Sequence, residues 1–338
     1  MDSAEPGWPA HAIEQLLAAG ALDPVATRRF HEVMRREGVG EAELAQPGAQ
    51  VPLRWFREAY PDLDSDQATH LGFITGEYAG LTSYGVLSVP LVSAGSVSEI
   101  LRLLDFLPLI SNAIHARSLE SEDGVVITLT THSGDPVLDR FAAGYTGAAL
   151  LRLIRLLADD APGLEFHFAW PMPPQMADHP DVLAGRLRFD APMNYVYAPT
   201  STLEAVCRYS DPMAYAHAID GLKRALESRS IPYDVTEQVR RILDQGPGLM
   251  HTKQVAAKLN LSVSTLKRRL AMAGTSFSDL LEASLQDRAM LRLLDPTCGL
   301  EEIATDLGYS DLANFSHAFK RWTGTTPGRF RREHQRVG

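Results

Sequence analysis

Two stretches near the end of the chain repeat one pattern: a short amphipathic helix, a three-residue turn and a second amphipathic helix. The first stretch covers residues 252–272 and the second covers residues 300–322. Their turns contain Asn260 and Gly308, residue types that tolerate a positive φ angle. In both stretches an alanine stands where two helices can cross closely. The pattern predicts an all-helical domain that contains two helix-turn-helix motifs.

The second helix of each motif has two different faces. In Val263–Met272 the apolar stripe leaves the polar residues of the opposite face at the spacing i, i+3, i+4, and these are Ser264, Lys267 and Arg268. In Leu312–Trp322 the corresponding face carries Ala313, Ser316, His317 and Lys320. Exposed cations on a single helix are often only a solvated face. The repetition of the arrangement is what indicates a functional surface.

The run Gly308–Phe330, GYSDLANFSHAFKRWTGTTPGRF, resembles the signature of the AraC/XylS family of bacterial transcription activators. The resemblance covers the whole last domain and departs at Asn260, where the family usually has glycine. It implies that the second helix of each motif enters a major groove of double-stranded DNA. The two grooves are then about 34 Å apart on one face of the DNA. Base reading is thereby assigned to Ser264, Lys267, Arg268, Ala313, Ser316 and His317.

Four further cations are expected to contact phosphates, which adds affinity without sequence information. They are Arg269, Lys320, Arg321 and Arg329. The charge distribution agrees with a polyanionic partner for the last domain only. Residues 234–338 contain 15 Lys and Arg against 12 Asp and Glu, whereas residues 1–233 contain 17 against 30. The expected partners are a DNA operator and RNA polymerase.

The rest of the chain mixes helical and strand patterns. We expect an α+β multidomain protein, with a mixed α/β domain at residues 1–205, a linker with a helix at 206–234 and an all-α domain at 235–336. In the first domain the patterns predict helices at Val25–Glu37, Ile100–Ile110 and Leu138–Leu157, and strands at Ser83–Ala94, Ala113–Leu119, Val125–Thr131 and Gly163–Trp170. The linker helix is predicted at Asp211–Ser228, followed by a break at Arg229–Pro232.

The segments Gly80–Asn112 and Gly163–Pro192 resemble the effector-binding and oligomerisation domain, of the arabinose-binding type, in the branch of the family typified by regulators of ornithine or arginine use. The resemblance implies a small-molecule effector and allows a homodimer. Seven residues of this domain have two possible roles. They could line an apolar pocket that holds a ligand by a polar anchor, or the aromatic residues among them could simply pack in the core. These residues are Tyr84, Phe106, Arg140, Phe166, His167, Phe168 and Trp170.

Other classes of protein find little support in the sequence. It contains no GxSxG, HExxH, P-loop or CxxC motif, so we expect neither an enzyme nor a cofactor or metal site. It also lacks a secretory signal and a membrane-length apolar run, which predicts a cytoplasmic location. The leading hypothesis is an activator that responds to an effector. The alternatives are a constitutive DNA-binding regulator whose first domain only dimerises or contacts a protein, and an enzyme fused to a DNA-binding module.

Overall fold

The computed structural model describes residues 5–44, 46, 48–121, 123–131, 133–158, 161, 163–228, 235–246, 248–295 and 297–334. Contacts divide the chain between residues 229 and 230 into two compact units. The break predicted at Arg229–Pro232 lies outside the described residues. The first unit is mixed α and β and the second is helical, which confirms the predicted fold class.

The first unit contains short helices around one long helix. Its helices are α1 Ala10–Ala18, α2 Pro24–Glu37, α3 Glu41–Leu44, α4 Arg54–Ala59, α5 Ser65–Gly76, α6 Ser88–Ser93, α7 Val97–Arg102, α8 Pro136–Leu157, α9 Pro180–Leu183, α10 Thr200–Leu203 and α11 Pro212–Ser228. Single 3₁₀ helices cover Leu81–Leu87, Leu103–Leu109 and Pro174–Met176. Its strands are β1 Gly7–Pro9, β2 Gln50–Pro52, β3 Ile114–Ser121, β4 Gly124–Thr131, β5 Glu165–His167, β6 Leu187–Arg188 and β7 Tyr195–Pro199.

The strands form a two-stranded sheet, β1-β2, and a five-stranded sheet in the order β3-β4-β7-β5-β6. Only β5 and β6 pair in parallel; the other described neighbours are antiparallel. The predicted hairpin is confirmed, because β3 and β4 pair along their full length. The strand predicted at Gly163–Trp170 has only three residues in the sheet, although the Phe168 amide still donates to the Arg188 carbonyl at 2.9 Å.

Helix α8 is the centre of the first unit, and α5 packs along it at backbone contact. A Cβ atom at Gly72 would lie 2.4 Å from the Phe141 carbonyl oxygen, and one at Gly76 would lie 2.6 Å from that of Tyr145. Both distances are too short for a side chain. The two glycines, one turn apart, therefore permit the close crossing of α5 and α8.

The strand predicted at Ser83–Ala94 is wrong, because this segment forms the 3₁₀ helix Leu81–Leu87 followed by α6. Hydroxyl groups bond to preceding carbonyls here: Ser88 donates to Gly85 at 2.7 Å and Ser93 donates to Val89 at 2.9 Å. Gly85 turns the chain with a φ of 52°. The β-branched composition suggested a strand, but packing of α6 against α11 stabilises the helix instead.

Two other predicted helices are present with changed limits. The helix predicted at Ile100–Ile110 begins earlier, as α7, and tightens into the 3₁₀ helix Leu103–Leu109, which contains Pro108. The helix of the proposed linker, α11, packs against α6 and the 3₁₀ helix Leu103–Leu109, and so belongs to the first unit. The Tyr215 hydroxyl donates to the Glu99 carbonyl at 3.1 Å and helps to hold it there.

The second unit consists of α12 Val235–Gln245, α13 Thr252–Lys258, α14 Val263–Met272, α15 Phe277–Leu293, α16 Leu300–Asp306, α17 Leu312–Thr323 and α18 Pro327–His334. Helix α15 contacts α12, α16, α17 and α18, and its Phe277 and Leu280 share a buried cluster with Leu266 and Leu270 of α14. Its buried residues include Phe277, Leu280, Leu285 and Leu293. As predicted, one amphipathic helix joins the two motifs into a single body.

Candidate nucleic-acid interface

The first helix-turn-helix motif is α13, the turn and α14. Asn260 in the turn adopts a φ of 55°, as its residue type predicts. The Ser262 hydroxyl caps α14 by accepting from the Thr265 amide at 3.1 Å. Residue type suggests Thr252 as the cap of α13, but Thr252 is the first helical residue. The cap is His251, whose amide donates to the Gln254 side chain at 2.8 Å.

Helix α14 buries one face and exposes the other. Leu266 and Leu270 are fully buried, and Val263 packs against the same core. The predicted base-reading residues Ser264, Lys267 and Arg268 are all exposed, and so is Arg269. The three cations form no ion pair with any residue of the described ranges. Their charges are therefore available to a ligand, as a surface that binds DNA requires.

The second motif is α16, the turn and α17. Gly308 has a φ of 84°, and a Cβ atom there would lie 2.7 Å from the Leu249 amide nitrogen. Asp311 caps α17 by accepting from the Asn314 amide at 2.8 Å. That hydrogen bond lowers the pKa of the Asp311 carboxyl group, so the cap is ionised at neutral pH.

Helix α17 presents the second candidate surface. Phe315 and Phe319 are fully buried, whereas Ala313, His317 and Lys320 are exposed and Ser316 is half-buried. Leu312, half-buried at the start of the helix, lies between the two faces. Both second helices thus place the predicted base-reading residues away from the core.

Two of the cations that are predicted to contact phosphates already form ion pairs with carboxylates of the protein. The Arg321 guanidinium bonds to Glu282 through Nε at 3.1 Å, and the Trp322 indole also donates to Glu282. The hydrogen bond from Arg321 lowers the pKa of the Glu282 carboxyl group. Arg329 bonds to Glu333 at 2.6 Å, one turn along α18. Glu282 was missed by the sequence analysis, because it lies on α15, far from Arg321 in sequence.

The first unit contains a partly open cavity of about 70 Å³ between α8, the two longer 3₁₀ helices and β1. Its lining includes Trp8, Tyr84, Ile100, Leu104, Leu107 and Tyr145. Tyr84 alone among the seven predicted pocket residues lines it, with its hydroxyl donating to the Ala149 carbonyl at 2.9 Å. Trp8 was missed because it is far from the other lining residues in sequence.

The other six predicted pocket residues lie elsewhere in the first unit. Phe168 and Trp170 pack together, with the Arg140 guanidinium 5.3 Å from the Trp170 ring centroid. Phe106 and Phe166 are buried in the core. His167 is also buried: it stacks on Tyr195 at 4.2 Å and bonds to Glu165 at 2.9 Å.

Among the residues placed by the structure, no three histidine, cysteine or acidic side chains are grouped as a metal site would require. Within the same ranges, no helix has both the length and the apolar character needed to span a bilayer.

Comparison with known proteins agrees with both halves of the architecture. Residues 255–333 match the helix-turn-helix domain family, and residues 28–205, more than half of the chain, match the arabinose-binding domain of AraC transcription regulators. The ornithine utilization regulator of Pseudomonas aeruginosa is 24% identical over 264 residues, which are 77% of this chain and 78% of that protein. An uncharacterized HTH-type transcriptional regulator of Mycobacterium bovis is 26% identical over 344 residues, 96% of this chain and 98% of that one.

Among solved structures, the transcriptional regulator CdpR from Pseudomonas aeruginosa is similar with a TM-score of 0.40 and 22% identity, over 92% of this chain and 99% of that chain. The sequence-based resemblance is confirmed by the two family matches. The chain belongs to the AraC family of DNA-binding transcriptional regulators and carries the arabinose-binding-type effector domain of that family.

Proposed function

We propose that α14 and α17 enter two successive major grooves and read base edges with the residues of their exposed faces. The observation that carries this proposal is that Ser264, Lys267 and Arg268 form an exposed stripe opposite the buried stripe of α14. Helix α17 also has a face of polar and small residues opposite its buried stripe. Arg268 and Lys267 can donate to guanine O6 and N7. His317 can donate or accept.

Phosphate contacts are assigned to the cations beside these stripes. Arg269 and Lys320 are exposed and have no ion pair with a described residue, so they are the strongest candidates. Arg321 and Arg329 contribute less, because Glu282 and Glu333 offset their charges. Such contacts raise affinity for any DNA sequence and make binding depend on salt.

At the level of regulation, we infer an activator that recruits RNA polymerase when a small molecule is bound to the first unit. The relative named as an ornithine utilization regulator supports a metabolic effector. A homodimer formed through the first unit is part of this proposal. Full activity in cells without any effector would instead favour a constitutive regulator.

The test compares Arg268→Ala with Lys320→Ala on an operator selected from random DNA by the full-length protein. Arg268→Ala should weaken operator binding by about 1–3 kcal/mol and relax preference at one base position, while binding to scrambled DNA changes little. Lys320→Ala should weaken all sequences comparably and reduce the slope of log affinity against log salt by about one.

The control variant is Lys223→Ala, which removes an exposed cation of the first unit and so reports the effect of net charge alone. Fluorescence anisotropy at several salt concentrations measures all three variants. Equal losses on operator and scrambled DNA for Arg268→Ala would show that this side chain makes only an electrostatic contact, and would refute base reading by α14.

A further inference from the structure

An open groove of about 560 Å³ lies on the first unit, where the end of α5 meets the second half of α8 and the start of α9. Small-molecule sites have volumes of roughly 300–1,000 Å³, so the groove is large enough for such a ligand. Among the described residues that line it, four are charged: Glu77, Arg152, Arg155 and Asp181. The hydrogen bonds of these four residues determine which charges remain available to a ligand.

The Asp181 carboxylate is already bound by the protein. Asp181 is only 5% exposed, and its carboxylate accepts from Arg155 and, at 2.6 Å, from Nε of Arg186. Burial raises the pKa of this carboxyl group, but the hydrogen bonds from Arg186 and Arg155 lower it overall. Two guanidinium groups share one carboxylate, so two positive charges and one negative charge leave this cluster with a net charge of +1.

Arg152 lies one turn before Arg155 on the same face of α8. Its Nε donates to the Ala79 carbonyl at 2.9 Å, which holds the guanidinium beside the segment that follows α5. Within the described ranges, no ion pair joins Arg152 to an acidic residue. The terminal nitrogens of this exposed guanidinium, together with the excess positive charge beside Arg155, therefore offer the groove donors for an anionic group.

Glu77 supplies the opposite charge in the same groove. It is the C-cap residue of α5, where the helix dipole also favours a cation. Its side chain is 55% exposed, and the Nε2 atom of His179 lies 3.5 Å from its Oε1. Because His179 Nδ1 accepts from the Asp181 amide at 3.2 Å, the neutral ring carries its proton on Nε2. This neutral donor leaves the Glu77 charge unbalanced by any residue that the structure describes.

The remaining side chains of the lining are largely apolar. They belong to Phe73, Tyr78, Ala148 and Leu156. Tyr78 and Leu156 are each 43% exposed, and a ligand with an apolar side chain would remove part of this surface from water, which is favourable. A ligand with a second ammonium group would gain no free carboxylate for it, because two guanidinium groups already share Asp181.

We propose that this groove binds a free α-amino acid with an uncharged, apolar side chain. Its carboxylate bonds to Arg152 and to the nitrogens of Arg155 that Asp181 does not use, and its ammonium group bonds to Glu77. An α-amino acid carries both charged groups on one carbon, which suits a cation and an anion that line one groove without an ion pair between them. The proposal rests on the proposed function, because it names the chemical class of the effector.

The experiment is isothermal titration calorimetry of the full-length protein with L-leucine and two analogues. 4-Methylpentanoate lacks the ammonium group of leucine, and 3-methylbutylamine lacks its carboxylate. L-Leucine should bind roughly 10–100-fold more tightly than either analogue, which is the effect of one hydrogen-bonded charged group. L-Ornithine, which has a second ammonium group, should bind more weakly than L-leucine.

Two variants assign the two charged contacts. Glu77→Gln should reduce the affinity for L-leucine to that for 4-methylpentanoate, without weakening the binding of 4-methylpentanoate. Arg152→Gln should weaken the binding of both carboxylates but not that of 3-methylbutylamine. The matched controls Glu204→Gln and Arg28→Gln remove exposed charges of the first unit outside the groove and should change no affinity. A normal melting temperature shows that each variant is folded, and Glu77→Gln alone decides the matter if Arg152→Gln is not.

The proposal is overturned if L-leucine does not bind at millimolar concentration, or binds no more tightly than either analogue or L-ornithine. An unchanged affinity of Glu77→Gln for L-leucine also overturns it. Operator binding by the same preparation is measured separately. Intact operator binding without leucine binding refutes the groove assignment alone, whereas leucine binding without sequence-specific DNA binding refutes the proposed function alone.

Discussion

Asn260 and Gly308 occupy equivalent turns and adopt the same type of backbone conformation, but different atoms surround them. Both have positive φ angles, 55° and 84°. At Gly308 a Cβ atom would meet the backbone of Leu249, so no side chain fits. Asn260 keeps its side chain, and its residue type tolerates the left-handed region without such a restriction. The departure from glycine in the first turn is therefore structurally mild.

The ion pair between Arg321 and Glu282 predicts an unequal effect of two neighbouring cations. Arg321→Ala should reduce affinity for scrambled DNA less than Lys320→Ala does, because Glu282 already offsets the Arg321 charge. Glu282→Gln, which retains an acceptor for the Trp322 indole, should increase affinity and steepen the salt dependence. Anisotropy titrations at several salt concentrations measure both effects. Equal losses for the two alanine variants would mean that the ion pair opens on DNA.

At the scale of elements, the two faces of α17 should differ sharply in their sensitivity to substitution. Phe319 is fully buried and packs edge-on against Phe330, with 5.3 Å between ring centroids. Phe319→Ala should therefore lower the free energy of unfolding by about 3–5 kcal/mol. Urea denaturation followed by circular dichroism measures the change.

His317→Ala is the matched control on the exposed face of the same helix, and it should change stability by less than about 0.5 kcal/mol. A Phe319→Ala protein with unchanged unfolding would contradict the buried position of this face. The comparison separates packing from DNA contact, since the exposed histidine is assigned to DNA and the phenylalanine is not.

Elements with a strong local pattern could be predicted from the sequence, and elements determined by distant contacts could not. The stripe of α17 and the cap Ser262 follow from spacing and residue type, whereas the sequence leaves the cap of α17 open between Ser310 and Asp311. The segment that forms α6 has a β-branched composition, and only its packing against α11 makes it helical. The lining of the cavity could not be predicted either, because it combines residues of β1 and α8, which are far apart in the sequence.

At the scale of the whole molecule, the division between residues 229 and 230 predicts that the second unit folds without the first. A fragment of residues 235–336 should be helical and should unfold cooperatively, because α15 contacts α16 and α17 and also shares a buried cluster with Leu266 and Leu270 of the first motif. Circular dichroism and thermal unfolding test this. A fragment without helical signal would show that the boundary is wrong or that the second unit depends on the first.

The two motifs of the second unit are similar in fold but different in exposed chemistry. Helix α14 exposes Lys267 and Arg268, whereas the comparable residues of α17 are the half-buried Ser316 and the exposed His317. If both helices read bases, the two half-sites have different sequences, and a single chain recognises them in a fixed order. Such a DNA site has no internal twofold symmetry and therefore has a direction. Inverting it within a promoter would reverse which motif lies nearer to the start of transcription, so orientation as well as sequence would determine regulation.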